Sequence, residues 1–171
     1  MIPGDHVQTD DGKAVGVAWI VRTRIESGRT TLVRVDKHVR ITPYHPFRRD
    51  GQEWVFPISI ASAREMRCDA VYSFVLAQPG ASSIAVEGGA VVASLGHGDT
   101  TSETALAHPY FGDRERVLRD LERMEPMGLN FPFNRIVELI DADAPLRRDV
   151  QNGGKVVGMV QEKRRRRREV S

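Results

Sequence analysis

The chain has 171 residues, with 25 Lys and Arg against 23 Asp and Glu and a single cysteine, Cys68. That length suits one domain with its own core. One cysteine excludes a disulfide scaffold and a cysteine-rich zinc site, and no run approaches the ~18 apolar residues of a membrane span. The net charge of +2 hides an asymmetry, because Lys163 to Arg168 is an unbroken basic run and the remainder is mildly acidic.

The start, Met1-Ile2-Pro3-Gly4-Asp5, has neither the basic residues nor the apolar stretch of a signal peptide, so an intracellular, cytoplasmic or nuclear location is expected. Asp10-Asp11-Gly12 is a turn signal, and Val15 to Thr23 is β-branched and apolar with partial alternation. Glu26-Ser27-Gly28 turns the chain into Thr30–Val35, which alternates well. After Asp36-Lys37, His38–Ile41 is expected to resume a short strand. Arg49-Asp50-Gly51-Gln52 is a tight turn before Trp54-Val55-Phe56. Ala70–Leu76 alternates strongly until Pro79-Gly80, and Ser83–Val86 and Ala90–Leu95 flank a Glu87-Gly88-Gly89 hairpin. Short strands with turn signals at such spacing predict an all-β body.

The character changes after Gly98. Val117, Leu118 and Leu121 at helical spacing predict one helix over about 113–124, with Asp113 as N-cap. A Pro- and Gly-rich loop follows from Glu125 to Pro132. Asn134–Ile140 fits either period, and Asn152-Gly153 introduces a last strand, Lys155–Val160. The expected organisation is a β domain over 1–125, an extension over 126–160 packing on it, and a disordered basic tail over 161–171.

Thr42-Pro43-Tyr44-His45-Pro46 sits at a strand end, where the two prolines restrict the backbone on either side. A hydroxyl and an imidazole three residues apart on a rigid turn can both reach one peptide group. The hydroxyl can hydrogen-bond it and the imidazole can protonate its nitrogen, which suits acyl transfer at a peptide bond. The bland alternative is a histidine capping a turn.

Further blocks follow in order. They are Trp54-Val55-Phe56-Pro57, Val71-Tyr72-Ser73-Phe74-Val75-Leu76, Leu95-Gly96-His97-Gly98 and His108-Pro109-Tyr110-Phe111-Gly112. With Pro3-Gly4-Asp5 and Thr42–Pro46, this series resembles the Hint superfamily of hedgehog autoprocessing domains and inteins. It is most similar to the Hint-like (Vint) domain found beside von Willebrand A modules, over roughly residues 2–125. The resemblance implies a compact all-β fold and self-cleavage by an N-to-S/O acyl shift. A Cys or Ser would attack the preceding carbonyl, Thr42 and His45 would polarise the scissile peptide and protonate its nitrogen, and His97 would assist resolution.

The departures count equally. No Cys or Ser precedes Pro3, so the nucleophile is expected upstream or lost, and the chain as given is expected not to cleave itself. His97 is followed by Gly98 rather than Asn, which leaves Asn cyclisation unavailable, and Ser73 stands where many relatives have Asp or Asn. Cys68 is a minor candidate for a replacement nucleophile; a partly buried, inert thiol is the favoured reading.

His6, His38, His45, His97 and His108 show no metal-binding spacing, and neither metal nor cofactor is expected. Gly88-Gly89 is no phosphate cradle, since no helix follows. Asp141, Asp143 and Asp149 are scattered charges. Lys163–Arg168 suits an importin, nucleic-acid or acidic-lipid contact, without aromatic residues for base stacking, or a solvated tail. The expected substrate is the flanking polypeptide. The competing reading is a structural or interaction module that keeps the fold without the chemistry.

Overall fold

Strand β2 (Ala14–Arg24) organises the molecule. This computed structural model describes residues 1–49, 51–124, 135–140, 146–149 and 155–159. The Glu125–Pro132 loop, Asp50, Asp141, Asp143, Asn152-Gly153 and the 161–171 tail lie outside the described residues. Antiparallel β1 (His6–Gln8) and parallel β10 (Ile136–Ile140) both pair with β2, and antiparallel β7 (Ala70–Leu76) runs beside it from Val17 to Arg24. Of the ambiguous Asn134–Ile140 segment, Ile136–Ile140 is thus a strand. A register shift between Val17 and Trp19 explains the partial alternation of β2. One extra residue flips the side-chain phase. Val15, Val17 and Ile20 therefore face one core cluster with Val7, Leu76 and Ile84, whereas Trp19 and Val21 face another.

Two further sheets complete the β body. One is β4 (Arg40–Ile41), β3 (Arg29–Arg34) and β6 (Ala63–Arg67); the other is β5 (Phe47–Arg49), β9 (Ala90–Ala93) and β8 (Ser83–Val86). Val33, Ile41, Phe47 and Ala90 close a third cluster between them. Among the described residues the architecture is mainly β with one α-helix, as the patterning predicted.

Two expected strands are shorter than their patterns. Val39 carbonyl accepts the N–H groups of Val35 and Asp36 at 3.1 and 3.4 Å, so His38 and Val39 belong to a turn and β4 begins at Arg40. Of Trp54–Phe56 only Val55 bridges, to Phe47, because Pro57 starts a 3-10 turn, Pro57–Ser59. Strand β6 carries Arg64, Glu65 and Arg67 at an exposed sheet edge. An edge strand with so little burial shows no apolar alternation to read.

Helix α1 (Arg114–Met124) follows its N-cap: Asp113 Oδ1 accepts the Arg116 N–H at 3.0 Å. Val117, Leu121 and Met124 are buried against Trp19, Val21, Val75, Leu95 and Tyr110. Val137 and Leu139 of β10 join this cluster, as do Val156 and Met159 of β12 (Lys155–Met159), which pairs with β11 (Leu146–Asp149). Tyr110, only 1% exposed, donates its hydroxyl to Asp120 Oδ2 at 3.0 Å; the same oxygen accepts the Met159 N–H at 3.1 Å. One carboxylate thereby ties the helix, the loop before it and the last described strand together. No described helix is long and apolar enough to cross a membrane.

Candidate functional site

The Thr42–His45 turn links two sheets. Thr42 carbonyl accepts the His45 N–H at 3.1 Å, closing a β-turn in which Pro43 holds the second position, where its fixed φ is favourable. Phe47, 1% exposed, anchors the exit. Pro46 carbonyl accepts the Ala93 N–H at 3.0 Å, and Pro43 carbonyl accepts the Ile58 N–H at 3.2 Å. The turn is therefore bolted to β9 on one side and to the 3-10 turn on the other. The Thr42 side chain is half-buried, and its hydroxyl has no protein partner among the described residues.

The imidazole of His45 faces the end of β9, with Nε2 3.0 Å from the Ala93 carbonyl oxygen. A carbonyl can only accept, so Nε2 carries the proton and Nδ1 presents the lone pair of the neutral ring. Burial pushes this histidine below its ordinary pKa, and the Ala93 carbonyl offsets part of that shift.

His97 reaches the same region through a change of sheet. Beyond β9 the chain leaves its sheet: Ser94 N–H donates to the Ser82 carbonyl, and Leu95 N–H donates to the Phe74 carbonyl of β7 at 2.7 Å. The Gly96-His97-Gly98 loop then interlocks with residues 108–112. Gly96 N–H donates to Phe111 carbonyl at 2.7 Å, Gly98 N–H to Gly112 carbonyl at 2.9 Å, and His108 N–H to Asp99 carbonyl at 3.1 Å. Two glycines are needed for steric reasons. Gly96 has φ +68° and faces the Arg114 backbone, and a Cβ on Gly112 would lie 2.0 Å from the Asp99 carbonyl oxygen. The Leu-Gly-His-Gly and His-Pro-Tyr-Phe-Gly blocks are thus two halves of one structure.

His97 is 6% exposed, and its Nδ1 accepts the Asp99 N–H at 3.2 Å, leaving the proton on Nε2. Burial drives its pKa down to about 4. Asp99 pulls it up, and the positive charges that His108 and His45 can carry push it further down. Those mutual influences place the three imidazoles in one electrostatic neighbourhood. His108 in turn accepts the Tyr110 and Phe111 N–H groups at Nδ1, each at 3.1 Å, and its ring lies 4.6 Å from that of Phe111.

Cys68 is elsewhere. It is half-buried; its N–H donates to Gly28 carbonyl at 3.0 Å and its thiol to Ala70 carbonyl at 3.1 Å. Thr42 follows Ile41, which pairs with Val33, so the length of β3 separates the Gly28 end from the turn, about 13–16 Å at ~3.3 Å per residue. The fold does not bring this thiol to His45. His6 lies on β1 and His38 in the β3–β4 turn, and no group of metal-binding side chains occurs among the described residues. Ser73 is half-buried on β7 opposite Val21.

The entering chain is pinned to β2. Gly4 N–H donates to Val17 carbonyl at 2.9 Å, Val17 N–H to Asp5 carbonyl at 2.8 Å, and Pro3 is buried. Residues 1–3 thus approach the gap between β1 and β10 on the β2 edge. Sequence reasoning assigned no site role to His108, Asp99 or the Ala93 carbonyl. His108 could have been found from the block it opens; a backbone carbonyl leaves no trace in side-chain spacing.

A family model for Vint, a Hint-domain family, matches residues 1–141, a span that takes in the turn, both histidine loops, the helix and β10. No curated protein matches the chain.

Proposed function

The chain belongs to the Vint family of Hint domains, and on that footing we propose that it is an autoprocessing domain whose acyl-shift machinery is Thr42, His45 and His97. The observation that carries this reading is the His45 ring, desolvated and held by the Ala93 carbonyl four residues before His97. The substrate is the polypeptide preceding the domain, and the attacking group is a Cys or Ser ahead of Pro3 that the given chain does not contain.

In the proposed step the thiol or hydroxyl adds to the carbonyl carbon of the preceding residue, a C–S or C–O bond forms and the C–N bond breaks. The proton lost by the nucleophile ends on the new amine, so the step is an isomerisation. His45 suits the transfer: its free Nδ1 accepts the proton, and its lowered pKa makes the imidazolium a willing donor to the leaving nitrogen. Thr42 Oγ1 holds the scissile peptide. His97, neutral with its proton on Nε2, assists resolution of the ester by donating to the developing oxyanion. Gly98 in place of Asn makes intein-type splicing unavailable in this reading. In this reading the β domain carries the site, and β10 and β12 brace it through the core they share with α1.

A second reading is a non-enzymatic Hint-fold interaction module in a larger von Willebrand A-type protein. Tyr44 (72% exposed), Phe56, Ile58 and Ile60 favour it, since they present apolar surface around the turn. The test is a fusion carrying a host segment and a Cys ahead of Pro3. Thiol-induced cleavage at that Cys, abolished by His45→Ala and retained in Cys68→Ala, is expected. An intact fusion after prolonged thiol treatment supports the module instead.

A further inference from the structure

Past β9 the chain begins a parallel pairing with β7 that does not continue. Leu95 bridges Val75, and its N–H donates to the Phe74 carbonyl at 2.7 Å. In a parallel ladder such bonds recur at every second residue of each strand. The next would run from the His97 N–H to the Leu76 carbonyl. Leu76 is fully buried, and a buried carbonyl needs a partner. Its partner is Arg114, whose Nη2 donates to Leu76 O at 2.8 Å and to Ala77 O at 3.3 Å. Two hydrogens of one nitrogen thus serve two successive carbonyls at the end of β7.

The Arg114 side chain stands where the ladder would have run. A Cβ added to Gly96 would lie 3.0 Å from Arg114 Cα and 3.2 Å from its Cβ and Cγ. Burial lowers the pKa of Arg114 from its ordinary value, so the carbonyls hold a guanidinium partly stripped of water. Gly96, at φ +68°, turns the chain at this point. His97 then arrives with its Nδ1 on the Asp99 N–H at 3.2 Å. Among the described residues its own N–H finds no acceptor in place of the Leu76 carbonyl.

We infer that Arg114 is a positioning residue for His97: by occupying the Leu76 carbonyl it ends the parallel pairing at Leu95 and diverts His97 from the β7 edge into the histidine loop. Its bearing on ester resolution rests on the autoprocessing reading; the diversion itself does not.

The experiment is amide hydrogen exchange by NMR on the 171-residue chain and on Arg114→Met, which keeps a stem beside Gly96 but leaves the Leu76 carbonyl empty. The His97 N–H is expected to exchange roughly fivefold more slowly as it takes up that carbonyl, and the Asp99 N–H faster by a similar factor as it loses the His97 ring, one hydrogen bond each. Arg114→Lys, which keeps a cationic donor, is expected to return both amides to parental rates. Arg114→Gln, too short to reach Leu76, is expected to repeat the Arg114→Met pattern and decides the matter if that variant does not fold. A loop that is merely loosened would accelerate both amides; that result, or no change in either, overturns the inference. These rates require no cleavage, so a fusion that stays intact in thiol counts against autoprocessing and leaves the diversion of His97 standing.

Discussion

Substituting Gly112 by Ala tests whether the two histidine blocks form one locked unit. The new Cβ would meet Asp99 O at 2.0 Å, Asp99 C at 2.6 Å and His108 O at 2.8 Å. All three are backbone atoms, so no side chain can swing aside. Gly112 does not sit in the left-handed region, and the cost is therefore contact rather than dihedral strain. Relief requires the loops to part, which breaks the Gly96–Phe111, Gly98–Gly112 and His108–Asp99 hydrogen bonds. At about 1 kcal/mol each this amounts to about 3 kcal/mol. For a domain of this size the melting temperature should fall by roughly 6–12 °C. Gly28→Ala is the control: its surroundings are open and only its φ of +66° resists, for about 1–2 kcal/mol. Calorimetry gives the melting temperatures. NMR titration should show the His97 pKa rising from about 4 towards its ordinary value as the loop opens. A Gly112→Ala protein that melts no lower than Gly28→Ala, with His97 unmoved, refutes the interlock.

Three other outcomes are expected. His97 has a folded pKa of about 4 against 6.5 unfolded, so the unfolded chain binds the extra proton between those values; stability is full above pH 6.5 and declines towards pH 4, by up to about 3 kcal/mol less what solvent screening removes. His45 adds in the same direction. Urea midpoints of the parent and His97→Asn across that window check this, and parallel curves contradict it. Asp120→Ala removes the acceptor of the buried Tyr110 hydroxyl and of Met159 N–H, for about 2–4 kcal/mol; hydrogen exchange at Met159 should accelerate, and unchanged protection there defeats the argument. Asp113→Ala removes the N-cap of α1 at a cost of about 1 kcal/mol, measurable as a lowered urea midpoint with an unchanged slope; a midpoint equal to the parent's argues against the cap.

Much of the fold could be read from the residues because it rests on local chemistry. Val15–Thr23 and Ala70–Leu76 declared themselves by β-branched composition, the Glu87–Gly89 hairpin by its glycines (φ +88° and +75° at Gly88 and Gly89), and α1 by spacing and its Asp cap. What escaped depends on contacts between distant segments. The charges of β6 concealed an edge strand, and Asn134–Ile140 could not be resolved because only its pairing with β2 decides for strand. At the site, Thr42 and His45 were legible as one turn. The Ala93 carbonyl that orients His45, and the gathering of His108 with His97, arise only when β9 and the loop before the helix are brought to the turn.

The parallel pairing of β10 with β2 also constrains the order of events at the ribosome. Ile136 meets Ile20, and Ile140 meets Arg24, across nearly the whole length of the domain. Such non-local contacts form slowly, because a long loop must close before any bond rewards it. While the chain emerges N-terminus first, the Ile20–Arg24 edge of β2 therefore stands open, with unpaired backbone N–H and C=O groups that can recruit the wrong neighbour. The segment that closes it, Ile136–Ile140, is translated long after β2 itself. Truncations ahead of Ile136 should be sticky as well as unstable, and a chaperone that shields an exposed strand edge is the helper this domain needs most during synthesis.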